Sequence, residues 1–282
     1  MSTPSAKVSW FGRSFLGLGF LFLYLPIFLL VVFSFNESRL SSTWSGFSFK
    51  WYVELMNDDS MLKAAWVSLK IAFTSATAAV VLGTLAALVM TRFQFFRGKT
   101  LFGALITAPL VMPEVVTGLS LLLMFVTLFA PFGLSPKGML SIWIAHVTFT
   151  MAFVTVIISS RLAELDKSLE EAAMDLGANR LKIFFVITLP IIFPALISGW
   201  LLAFTLSLDD VVISSFVAGP DATTLPMKIF STVRMGLNPK INALASIIVA
   251  VVSFTAVAAW AISHREEKRR QRDIQLALQK GE

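Results

Sequence analysis

The chain has 282 residues, of which 56% are hydrophobic and only 14% charged, with a mean hydropathy of +0.80. A soluble domain of this length carries about 25% charged residues, so the composition excludes one and specifies an integral membrane protein. The net charge is +6 and there are no cysteines, which rules out disulfides, thiolate metal sites and cysteine nucleophiles.

In chain order, apolar runs long enough to cross a bilayer, which takes ~20 residues each, occupy 14–35, 64–91, 101–129, 140–160, 195–218 and 241–262. These predict an all-α protein of six transmembrane helices in a single domain spanning 1–282, with no room for a soluble domain. The first run follows Lys7 and Arg13 and lacks an A-x-A cleavage site before Asn36, so it reads as a retained first helix. Asn36-Glu37-Ser38 forms a glycosylation sequon, a pattern too common to carry weight. The third run contains Pro109 and Pro113. A broken helix is tolerated at membrane depth only where it is buried or lines a cavity. Glu114, just after Pro113, falls in the first turn of the second half, where the helix dipole favours a carboxylate. It is a candidate either for that capping role or for contact with a cation.

Lys and Arg are distributed unequally among the loops. With the N-terminus inside, the cytoplasmic side holds fifteen of them and the outer loops seven, and an excess of basic residues marks the cytoplasmic face. Both termini are expected there. This asymmetry accounts for the net charge without nucleic-acid binding. The terminal HREEKRRQRDIQLALQK reads as a cytosolic amphipathic helix lying against headgroups.

The longest cytoplasmic connection, 161–194, reads RLAELDKSLEEAAMDLGANRLKIFFVITLP from Arg161 to Pro190. Ser168 with Glu171 forms a capping-box pattern, predicting a helix from Leu169. Leu169, Ala172, Ala173 and Leu176 share one apolar stripe, and Gly177 suits a left-handed helix end. So short a helix must bury its stripe against the protein's own membrane surface or in a groove on a partner.

Within this loop, Glu171-Ala172-Ala173, Gly177, Ile187, Leu189 and Pro190 fill every fixed position of E-A-A-x₃-G-x₉-I-x-L-P. The chain therefore resembles the permeases of ABC importers, and the loop precedes the penultimate span as in that family. PLVMPEVVTGLSLLL (109–123), SLDDVVISSF and GPDATTLPMKIFSTVRMGLNP (219–239) extend the resemblance to permeases of polyamine importers, the second-permease subunits of putrescine systems above all. The resemblance implies the type I ABC importer permease fold, with a short cytoplasmic coupling helix between helices four and five. It assigns Glu171, Ala172, Ala173, Asp175 and Gly177 to ATPase coupling. Its implied partners are a second homologous permease, two cytoplasmic ABC ATPases and a periplasmic polyamine-binding protein. It implies residence in a bacterial inner membrane and half of a translocation path for polyamines, putrescine first among them. A permease for an amino acid or inorganic ion is the alternative within the family. An ion-coupled secondary carrier is a further alternative, set against the E-A-A loop and the lack of internal repeats.

Gly98-Lys99-Thr100 ends like a phosphate-binding loop, but position 93 is Phe where the motif needs glycine. The chain is thus expected to hydrolyse no ATP itself and to hold no metal or cofactor. Asp209 and Asp210 stand inside the fifth run, where charge is expensive and points to function by default. Neighbours on a helix point about 100° apart, so one should face a path and the other a neighbouring helix or a polar break after Ser207. The structural alternatives are a pair with Lys70 or capping of a helix restart. His146 reads as a satisfied structural histidine. The orientation is open to direct measurement: a reporter active only in the periplasm, fused after Glu282, should be silent, and activity would reverse it.

Overall fold

A computed structural model describes residues 10–39, 43–93, 95–236, 238–254 and 257. The regular secondary structure of these residues is helical, with one isolated bridge between Asn36 and Phe47 and no strands among them. The chain divides into two compact units, Met1–Asp59 with Thr232–Glu282, and Ser60–Ser231.

The first unit contains α1 (Trp10–Phe33) and α2 (Lys50–Met56). No residue of α1 is buried, so this largely apolar helix of 24 residues presents its side chains outward all round. After it, the buried Asn36 ties the connecting loop together. Its amide donates to the Thr43 carbonyl at 2.7 Å and accepts from the Ser45 N–H at 2.9 Å, while the Trp51 indole donates to its carbonyl at 2.7 Å. Lys240 lies 3.3 Å from Asp58 and 3.9 Å from Glu54.

The second unit is built on α3 (Asp59–Arg92), α4 (Lys99–Val111), α5 (Glu114–Phe129), α6 (Met139–Glu164), α7 (Lys167–Asp175), α8 (Arg180–Asp209), α9 (Val212–Val217) and α10 (Leu225–Arg234), whose last three residues belong to the first unit. The apolar helix α11 (Pro239–Phe254) follows, in the first unit. Among the described residues four helices, α1, α3, α6 and α8, are long and apolar enough to cross a membrane, and α4 with α5 makes a fifth if the bent pair is one span. The sixth predicted run, 241–262, falls partly outside the described residues, and the terminal basic segment lies wholly outside them.

Three boundaries differ from the sequence expectation. The run 101–129 is two helices bent by 119° at Met112-Pro113. Met112 is extended (φ −75°, ψ 138°), as a residue preceding proline must be when its α conformation clashes with the ring. The fifth helix begins within the 161–194 loop, at Arg180. It includes a π-turn, Phe184–Thr188, directly before Pro190, which has no N–H to continue the ladder. It also stops at Asp209, well short of 218, because Asp210 turns its side chain to the next helix.

Apolar burial does not drive helices together in lipid, so close packing between small residues must. On α3 the buried positions are mostly small: Ala64, Ser68, Ala72, Ser75, Ala76, Ala79, Gly83, Ala86 and Ala87. Of these, Ala76, Ala79 and Ala87 meet Val154, Ile158 and Leu162 of α6 and Ile192 and Ala203 of α8 in one core cluster. A second cluster joins Leu121 and Phe125 of α5, Ile142, Ala145 and Phe149 of α6, and Ile213 and Val217 of α9. At Gly83 an added Cβ would lie 2.8 Å from Val154 Cγ1 and 3.3 Å from the Met151 carbonyl oxygen. Gly83→Val should therefore cost roughly 1–3 kcal/mol of stability by overpacking. Gly17→Ala, where nothing lies within 4 Å, should cost nothing. Thermal unfolding in detergent distinguishes the two; equal midpoints would mean that α3 and α6 are not held this closely.

Candidate functional site

The break after α8 is organised by Asp210. Its backbone leaves the helix (φ −64°, ψ 125°), and its carboxyl accepts from the N–H groups of Ile213 at 3.1 Å and Ser214 at 2.7 Å. Those are first-turn donors that α9 itself cannot satisfy. Aspartate is among the best residues for this task. The same carboxyl lies 3.2 Å from His146 Nε2, with the two side chains 5% and 1% exposed. Nε2 also lies 3.1 Å from Ser214 Oγ, and Nδ1 lies 2.6 Å from Ser207 Oγ. Ser75 Oγ of α3 donates to Ser207 at 3.0 Å. A carboxylate can only accept, which puts the imidazole proton on Nε2 and leaves Nδ1 to accept from Ser207. One ordered chain of donors, Ser75 to Ser207 to His146 to Asp210, thus links α3, α8, α6 and the break.

Asp209 is different. As the last residue of α8 it is exposed, and no other side chain among the described residues is bonded to it. The two neighbouring aspartates are therefore divided: Asp210 is turned inward and spent on the helix restart, and Asp209 is left open. Asp210 does not pair with Lys70, as one sequence reading allowed. Lys70 instead lines a surface hollow of about 430 Å³ with Trp66, Phe73, Trp200 and Phe204.

Glu114 opens α5 after the Pro113 bend, exposed and with no partner among the described residues. One turn on, Gly118 faces α9: an added Cβ there would lie 2.7 Å from Phe216 and 3.3 Å from Ile213 Cα. The helix that Glu114 begins is thus packed against the helix that Asp210 caps.

Of the loop residues, Glu171, Ala172, Asp175 and Gly177 are exposed and Ala173 is half-buried. The apolar stripe is uncovered, Leu176 to the extent of 90%. Asp166, not Ser168, caps the N-terminus, accepting from the Ser168 N–H at 2.9 Å, so α7 starts two residues before the expected Leu169. That backbone hydrogen bond holds the Asp166 carboxyl below its usual pKa. At the other end Gly177 has φ +81°, and paired bonds from Gly177 N to Met174 O and Ala178 N to Ala173 O close the helix. At the phosphate-loop lookalike, Gly98 (φ +88°) is simply the start of α4.

Broken apolar helices with a carboxylate at each break are an arrangement that membrane transporters use. The chain belongs to the family of binding-protein-dependent transport system inner membrane components, which it matches over residues 79–271. It is 62% identical to the putrescine transport system permease protein PotI of Escherichia coli (strain K12), over 92% of this chain and 93% of that one. It is 42% identical to the spermidine/putrescine transport system permease protein PotC of the same organism, over 90% and 94%. Its fold resembles a chain of a bacterial ABC transporter involved in import of the acidic polysaccharide alginate (TM-score 0.66, 18% identity, 92% of this chain and 99% of that one). It also resembles one of the MetNI methionine ABC transporter (TM-score 0.56, 15% identity, 71% and 92%). These two likenesses concern the fold alone.

His146 and the serines at 75, 207 and 214 carry the break, and only their shared burial across four helices could have grouped them. Asp210→Ala removes two cap bonds and a histidine partner and should cost roughly 2–3 kcal/mol. Asp209→Ala should stay within about 0.5 kcal/mol of wild type, as surface substitutions do. Thermal unfolding of each variant tests the division, and equal losses would refute it.

Proposed function

We propose that this chain is the permease subunit of an ATP-driven, binding-protein-dependent putrescine importer, and that it forms half of the translocation path. The observation that carries the reading is the 62% identity to a putrescine permease over 92% of the chain. The subunit is a single permease domain of six spans with both termini cytoplasmic. It pairs with a second homologous permease, draws its energy from two separate ABC ATPases, and receives substrate from a periplasmic binding protein. Here α7 is the coupling helix, and its uncovered stripe, with Glu171, Ala172, Ala173, Asp175 and Gly177, docks on an ATPase.

Putrescine is a diamine carrying two positive charges. Moving such a cation out of water is costly unless anionic oxygen replaces its hydration. Asp209 supports this role because it stands open at the C-terminal end of α8, where the last carbonyls and the dipole already favour a cation. Transporters use interrupted helices in this way, with half-helix ends facing an ion. Glu114, open at the second break, is the other contact. Binding must remain weak enough for release, which suits two separated carboxylates better than a closed cage. Asp210 and His146 act behind them, holding the break that presents Asp209.

The test is uptake of labelled putrescine by the complete four-component system in proteoliposomes. Asp209→Asn and Glu114→Gln should each raise the half-saturating putrescine concentration by roughly tenfold, the equivalent of one lost charged contact of ~1.4 kcal/mol. Complex abundance and basal ATP hydrolysis should be unchanged. Wild-type half-saturation in both variants would place the path elsewhere, and competition by spermidine would measure how far the site extends to longer polyamines.

A further inference from the structure

Four elements of the second unit meet at one ion pair, Arg92 with Glu170. Arg92, the last residue of α3, donates through Nη2 to Glu170 Oε1 at 2.7 Å and through Nη1 to the Leu162 carbonyl at 3.3 Å. The same Glu170 oxygen accepts from Thr188 Oγ1 at 3.0 Å. Leu162 lies in the last turn of α6, Glu170 in the first turn of α7, and Thr188 closes the π-turn of α8. The Arg92 and Glu170 side chains are each 18% exposed.

The placement is more specific than a stray ion pair. Glu170 and Glu171 are adjacent, so their side chains leave α7 about 100° apart. Glu171 is exposed, and Glu170 is turned back onto the membrane helices. The E-A-A motif contains the outward residue and omits the inward one. Away from Glu170, α7 is open at Leu169 and Leu176, so a push from that side reaches the other helices through what α7 holds on its inner side. Arginine offers directional donors on a planar fork, which resist displacement better than a lysine's point charge. It also sits at the C-terminal ends of α3 and α6, where a cation is favoured. The π-turn that carries Thr188 already has an interrupted hydrogen-bond ladder and is a natural place for α8 to yield.

We infer that Arg92 and Glu170, with Thr188 as the third member, form the joint through which displacement of α7 is passed to α3, α6 and α8. They are positioning residues, and the inference rests on the proposed reading of α7 as the coupling helix. The joint has a second arrangement within reach. Arg92 Nε is buried and without an acceptor among the described residues, and a rotation of the Glu170 carboxyl that offered it the other oxygen would make the pair bidentate. A joint with two discrete arrangements transmits a shift between two states, where a merely adhesive contact would not.

The test uses the assembled transporter in proteoliposomes and reads putrescine imported per ATP hydrolysed. Wild type must first show ATP-driven uptake; failure there counts against the proposed function and not against the joint. Arg92→Gln and Glu170→Gln should each lower the ratio by about fivefold or more, as expected on breaking a partly buried pair, while complex abundance and basal ATP hydrolysis stay near wild type. The double variant should be no worse than the worse single, because both remove one interaction, and Arg92→Lys should recover part of the ratio. Thr188→Val leaves the ion pair in place and keeps the test open if loss of charge stops assembly; it should lower the ratio by about twofold, one neutral hydrogen bond's worth. A wild-type ratio in both single variants, an additive double variant, or an unchanged ratio in Thr188→Val would overturn the inference.

Discussion

A helix cannot stop inside an apolar segment unless something takes over the hydrogen bonds of its first and last turns. In this chain Asp210 does so, and much of the second unit is arranged to let it. Its carboxyl satisfies the start of α9 and is in turn held by His146, which is itself fixed by Ser207 and, one step further, by Ser75. Each of these groups would be costly to bury alone, since an unpartnered polar group loses its water without compensation. Together they satisfy one another. The α8–α9 break is therefore stable, and because it is stable Asp209 can be held open at a helix end with no side-chain partner among the described residues.

The same α6 helix carries a second polar cluster near its other end. His146 and Leu162 are sixteen residues apart, about 24 Å along a helix at 1.5 Å per residue. At one end α6 anchors the break that presents Asp209; at the other its last carbonyls receive the Arg92 that also holds α7. Between the two lie tightly packed small residues, Gly83 and Ala87 of α3 among them, which make α3 and α6 stiff against one another. A membrane helix with a polar joint at each end and close packing between suits a component that must relate events at two places.

Composition and run lengths were enough to read a polytopic helical protein, because the bilayer demands long apolar helices and leaves a simple periodic record. The E-A-A loop was legible because its spacing is a local property of one short helix and the turn that ends it: Gly177 takes the left-handed conformation that its position demanded. The bend at Met112-Pro113 was half legible, in that two prolines announced an interruption but not its 119° angle, which depends on what α4 and α5 pack against. The stop of α8 was not legible as a boundary. Leu, Val and Ile continue on both sides of Asp209-Asp210, and hydropathy averages over the two carboxylates.

The sequence by itself thus determined the class of protein and the left-handed end of the loop's short helix, since each follows from patterns within a few turns of chain. Only the tertiary structure decided which aspartate is open and which is committed. That choice depends on His146, sixty-four positions away, and on first-turn N–H groups that exist only once α9 has formed. The same holds for Glu170. From the sequence it is the less notable of two adjacent glutamates, and its tie to Arg92, seventy-eight positions earlier, appears only when α3, α6, α7 and α8 converge. Long-range polar pairing leaves no periodic trace in a chain, because it is set by which helix ends the packing brings together.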